Sequence, residues 1–108
     1  MKNEHARFVE ALKGLRPIVI NKCYGGFGLS AAAIAEYKRL AGITNPSWYD
    51  GDILRDDPHL VKVVKTLGPE ANGAHADLKI VEIPSDVNWQ IDEYDGIEWV
   101  AEVHRTWE

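Results

Sequence analysis

Cysteine is nearly absent. Cys23 is the only one in the 108 residues. A lone thiol excludes an internal disulfide and any zinc site built from several cysteines, and it fits a reducing compartment. Long apolar runs are absent too, since the longest fall far short of the roughly 20 residues that cross a bilayer. Positive charge is in deficit: 12 Lys and Arg stand against 17 Asp and Glu, a net charge of -5. Neutralising phosphates drives general nucleic-acid affinity, so a nucleic-acid partner is disfavoured. The same balance suits plain solubility and permits a basic partner surface. Met1-Lys2-Asn3-Glu4-His5 opens a polar amphipathic stretch and not the apolar core of a signal peptide, so the expected location is the cytoplasm. No internal repeat, linker or low-complexity segment is visible.

What is present is ordinary for a globular protein: 45% apolar and 27% charged residues. The length suits one domain over residues 1–108, able to bury a core without covalent staples. Phe8, Val9, Leu12 and Leu15 follow helical spacing and predict a helix over residues 3–15, ended by Gly14 and Pro17. Residues 18–24 predict a strand. Its consecutive Ile18, Val19 and Ile20 suggest burial on both faces and a central place in a sheet. Tyr24-Gly25-Gly26-Phe27-Gly28-Leu29-Ser30 then breaks the strand and leads into an alanine-rich helix over residues 31–40, capped by Ser30 and closed by Gly42.

A loop with Trp48 and Tyr49 follows. Asp57 and Pro58 predict the start of a third helix, with Leu60, Val61, Val64 and Leu67 as its apolar stripe and Gly68-Pro69 as its stop. Residues 78–84 predict a second strand ended by Pro84. Asp95-Gly96 is the strongest hairpin signal and joins strands expected over residues 87–94 and 97–107. The expectation is therefore an α+β domain, with a mostly antiparallel four-stranded sheet packed with about three helices.

Several stretches together resemble a family of small uncharacterised proteins of bacteriophage and bacterial genomes. They are the glycine loop of residues 24–30, Arg55-Asp56-Asp57-Pro58-His59-Leu60-Val61, Leu78-Lys79-Ile80-Val81-Glu82-Ile83-Pro84, and Tyr94-Asp95-Gly96 followed by Glu98, Glu102 and His104-Arg105. The family pattern expects an acidic residue soon after Ser30, where this chain has Ala31, Ala32 and Ala33. The resemblance carries no assigned activity. It implies a phage-type accessory, a host-takeover or counter-defence factor, acting in the host cytoplasm.

Three constellations could carry function. Backbone N–H groups of the glycine loop could meet an anion at the start of the Ser30 helix, although the loop fits neither the Walker A nor the dinucleotide pattern. The competing reading is a tight turn in which Tyr24 and Phe27 pack. Glu98, Glu102 and His104 share a face of the last strand and could serve as acid and base. Glu98 and Glu102 stand roughly 13 Å apart along a flat strand, too far to grip one ion, and a solvated strand face explains them more simply. Cys23 beside an apolar run reads as core more readily than as a nucleophile served by His104. The residues from Asp86 onward make an acidic hairpin with tryptophans, whose Lys and Arg complement is Arg105 alone.

The favoured reading is a small binding protein with no cofactor and no metal. It would bind a host protein or sequester a small anionic ligand through Tyr24, Gly25, Gly26, Phe27, Arg55 and Arg105, with a homo-oligomer as a further option. The alternative is a small hydrolase or nucleotide-processing enzyme using Glu102 and His104.

Overall fold

The computed structural model describes residues 14–45, 48 and 50–103. The expected first helix lies outside the described residues except for its end, where Gly14 is a turn and Leu15 already belongs to a strand. In order along the chain come β1 (Leu15–Asn21), α1 (Ala31–Ala41), a 3-10 turn (Asp50–Asp52), α2 (Pro58–Leu67), a second 3-10 turn (Gly68–Ala71), β2 (Leu78–Pro84), β3 (Trp89–Tyr94) and β4 (Ile97–Glu102). The class is α+β with four antiparallel strands, but they form two separate two-stranded sheets, β1 with β2 and β3 with β4. Among the described residues there are two α-helices.

The reason for two sheets lies at the outer edge of β1. Its Val19 N–H donates to the Arg55 carbonyl at 2.8 Å, and its Asn21 N–H donates to the Glu98 carboxylate at 2.8 Å. The odd-numbered amides of β1 thus face away from β2 and are satisfied by a loop residue and a side chain, so no third strand joins the ladder there. Pro17 falls on the same side. It has no amide hydrogen to leave unpaired, which is why it sits inside a strand instead of ending a helix. The strand accordingly starts earlier than the apolar run suggests, in register with Leu15 opposite Pro84 and Asn21 opposite Leu78.

Local chemistry sets both helices. The Ser30 hydroxyl accepts from the Ala33 N–H and donates to the Glu70 carbonyl. Gly42, at a φ of 70°, returns its N–H to the Lys38 carbonyl and ends α1. The Asp57 carboxylate accepts from the His59 and Leu60 amides, and Pro58 opens α2. The core gathers Val19 of β1, Leu29, Ala33 and Tyr37 on the α1 side, and Ile53, Leu60, Val61, Val63, Val64 and Ala71 on the α2 side. Leu78 and Ile80 of β2 pack against it.

One polar contact ties the two helices across this core. The Tyr37 hydroxyl donates to the Asp57 carboxylate at 2.8 Å, and Trp48 stacks on the Tyr37 ring with centroids 5.4 Å apart. Trp48 is therefore a packing residue. Burial first, then the hydrogen bond to Asp57 and its negative charge, push the Tyr37 phenol up to about 12.

Candidate functional site

The glycine loop is a meeting point of backbones. Residues 28–30 run beside residues 71–73: the Gly73 N–H donates to the Gly28 carbonyl at 2.9 Å, and the Ser30 N–H to the Ala71 carbonyl at 2.9 Å. A methyl on Gly25 would collide with the Cβ and carbonyl of His75, and one on Gly73 would lie 2.9 Å from the Gly28 carbonyl carbon. The hairpin arrives from another direction. A methyl on Gly96 would strike the Tyr24 carbonyl and lie 2.7 Å from the Gly26 nitrogen. The close approach that glycine permits is thus filled by the chain's own backbone at Gly25 and Gly96. Gly28 meets nothing within 4 Å, so its own lack of a side chain has no steric role.

The hairpin has two faces set by its register. Gln90 stands opposite Ala101, Asp92 opposite Trp99 and Tyr94 opposite Ile97; the other face pairs Trp89 with Glu102, Ile91 with Val100 and Glu93 with Glu98. The turn uses Asp95 and Gly96 at φ of 53° and 92°. The face expected to be solvated is turned inward at Glu98, which is 7% exposed. The opposite face is turned outward, and Trp99 and Tyr94 are 43% and 74% exposed.

Glu98 takes a two-pronged grip from the Arg55 guanidinium, one arm at 2.8 Å. The guanidinium lies over the Phe27 ring, 3.7 Å from its centroid, and donates to the Val19 carbonyl at 3.3 Å. Beside it, Asn21 is wholly buried. Its side-chain amide donates to the Cys23 and Gly96 carbonyls at 2.6 Å each and accepts from the Asp77 N–H at 2.8 Å. Lys22 reaches the Glu98 carbonyl at 3.3 Å. No hairpin side chain belongs to the core cluster around the helices or to the residues packed against it, and this polar node joins β4 to β1.

Of the residues singled out in the sequence, the structure brings Phe27 and Arg55 together, while Gly25 meets His75 and Gly26 meets the Gly96 turn. Tyr24 sits at the rim, 68% exposed. The Arg55 charge is met by Glu98. Glu102 is exposed opposite Trp89, and its expected companions His104 and Arg105 lie outside the described residues. Cys23 is half-buried and free. Among the described residues, no group of three or more His, Cys, Asp or Glu is placed to hold a metal, and no helix is long and apolar enough to cross a membrane.

Sequence reasoning missed Asn21 and the partnership of Arg55 with Glu98. The one available signal was that helix capping accounts for Asp57 but leaves Arg55 unexplained. No protein family, curated protein or solved structure matches the chain.

Proposed function

We propose that the chain is a small binding protein that presents the outer face of the β3–β4 hairpin, with Tyr24 beside its turn, to a basic surface of a host protein. The observation that carries this reading is the outward pairing of Asp92 with Trp99 and of Tyr94 with Ile97, with Tyr94 and Trp99 exposed. Large exposed aromatic side chains on a rigid element are the commonest anchors of protein interfaces. Charge complementarity selects the partner. Residues 86–103 contain no Lys or Arg, and Asp92 on this face and Asp95 at the turn keep their charge beside the aromatic pair, with Glu98 neutralised on the other face. A small anionic ligand is less well served, because the Arg55 guanidinium is engaged within the chain. The resemblance to phage proteins supports a bacterial host as the source of the partner, and a counter-defence or accessory role as its setting.

The test is affinity isolation from host extract with the wild type and with Trp99→Ser/Tyr94→Ser. Both substitutions lie on the outer face and leave the Glu98 contacts in place. The expected result is a basic protein retained by the wild type, released by salt and lost from the variant. Equal retention by the variant, or retention of no basic protein by the wild type, overturns the reading. Light scattering on the purified chain checks self-association, and a dimer dissolved by the same double substitution would assign the face to a second copy instead.

A further inference from the structure

We propose that Arg55, Phe27 and the Asn21 amide form a carboxylate receptor which Glu98 fills from within the chain, so that release of the hairpin opens a site for an external carboxylate. The receptor's donors all lie outside the hairpin, whose Gly96 carbonyl also accepts from the Asn21 side chain. The Arg55 main chain is held to β1 by its carbonyl, which accepts from the Val19 N–H at 2.8 Å. Its guanidinium is aimed by the Phe27 ring on one side and by the Val19 carbonyl on the other. The Asn21 N–H points along the same edge of β1. All these parts belong to β1, the glycine loop and the segment before α2.

Only the anion comes from the hairpin. It is received as a bound carboxylate is received, with a paired guanidinium grip on both oxygens and a main-chain donor on one of them. The hairpin adds no side chain to the core cluster around the helices, and this contact and the seat of Gly96 against the glycine loop hold it. When the Glu98 carboxylate is removed with the hairpin still in place, a largely buried guanidinium and a buried N–H lose their partners, and an unpaired buried donor is strongly unfavourable. A carboxylate of an acidic peptide, from a side chain or a chain end, has the geometry to replace it. This site lies under the hairpin, on the opposite side from the proposed protein-binding face, and stands or falls separately from it.

The experiment is rescue of Glu98→Ala by formate, acetate and a short acidic peptide, each against chloride at matched ionic strength. Thermal unfolding of the full chain is the readout. The expected result is a saturable rise in the unfolding midpoint of Glu98→Ala, on the order of 5 °C once the carboxylate exceeds its dissociation constant several-fold. The wild type shows no such rise, nor does Arg55→Met/Glu98→Ala. Peptide binding at lower concentration than formate assigns the site to peptides; equal potency assigns it to small carboxylates. Should Glu98→Ala not fold, hydrogen exchange of the wild type decides: formate in place of chloride speeds exchange in β3 and β4 and leaves β1 and β2 unchanged. No saturable rise, the same rise in the double variant, or unchanged hairpin exchange overturns the proposal.

Discussion

Removing one oxygen atom, in Tyr37→Phe, tests the contact that joins α1 to the start of α2. The hydroxyl is buried and donates to the Asp57 carboxylate at 2.8 Å. A hydrogen bond to a charged group contributes about 1.5–3 kcal/mol, so the variant should lose about that much at neutral pH. The phenol titration adds a pH dependence, of which burial is the first cause and this hydrogen bond the second. Its value rises from 10.0 to about 12 on folding, and each unit corresponds to about 1.4 kcal/mol between the two protonation states. The unfolded chain therefore releases the Tyr37 proton first. The stabilisation is full below about pH 10, falls as pH rises and is gone above about pH 12.

In urea unfolding across alkaline pH, the wild type should lose about 1.4 kcal/mol per pH unit relative to Tyr37→Phe between those limits. Asp57→Asn keeps an acceptor for the cap but removes the charge. Because burial is the largest cause of the shift, the Tyr37 titration in that variant should stay above its ordinary value while falling below about 12. A stability gap between wild type and Tyr37→Phe that stays constant from neutral pH to pH 12 would refute this account.

The polar node and the glycine contacts give two further tests. Glu98→Gln should cost about 2–3 kcal/mol by urea unfolding, below the ~3–5 kcal/mol of a fully buried broken pair because Arg55 is partly exposed, and should speed hydrogen exchange in β3 and β4 first; a loss under about 0.5 kcal/mol would count against the node. Gly96→Ala should cost ~2 kcal/mol or more in thermal unfolding, through its positive φ and its collision with Tyr24 and Gly26, while Gly28→Ala should stay within about 0.5 kcal/mol of wild type; similar effects at the two positions would contradict the placement of the hairpin turn.

The parts legible in the sequence are those whose causes are local. β2 occupies the expected residues because an apolar run meets Pro84. The start of α2 follows from Asp57 and Pro58, and the hairpin turn from Asp95-Gly96. The parts that were not legible depend on residues far apart in the chain. Pro17 resembles a helix stop until the free edge of β1 is known. Four strands suggest one sheet until the Arg55 carbonyl and the Glu98 carboxylate occupy that edge. The two faces of β4 alternate correctly in the sequence, but alternation does not say which face turns inward. Here a single ion pair spanning 43 positions reverses the usual choice. For the site, the sequence singles out Arg55, Phe27 and the glycines, while Glu98, the partner of Arg55, is grouped there with Glu102.

The backbone contacts at Gly25, Gly73 and Gly96 have a consequence for deep mutational scanning. In any selection for activity, these positions will tolerate almost no substitution, and the resulting profile will resemble that of a ligand loop. The intolerance will come from chain against chain, with no ligand involved. Gly28 is the internal control, in the same loop but with open space around it. A scan in which Gly28 accepts alanine while its neighbours do not would trace the packing of three segments. A scan in which Gly28 also fails would indicate a bound partner pressing on the loop from outside.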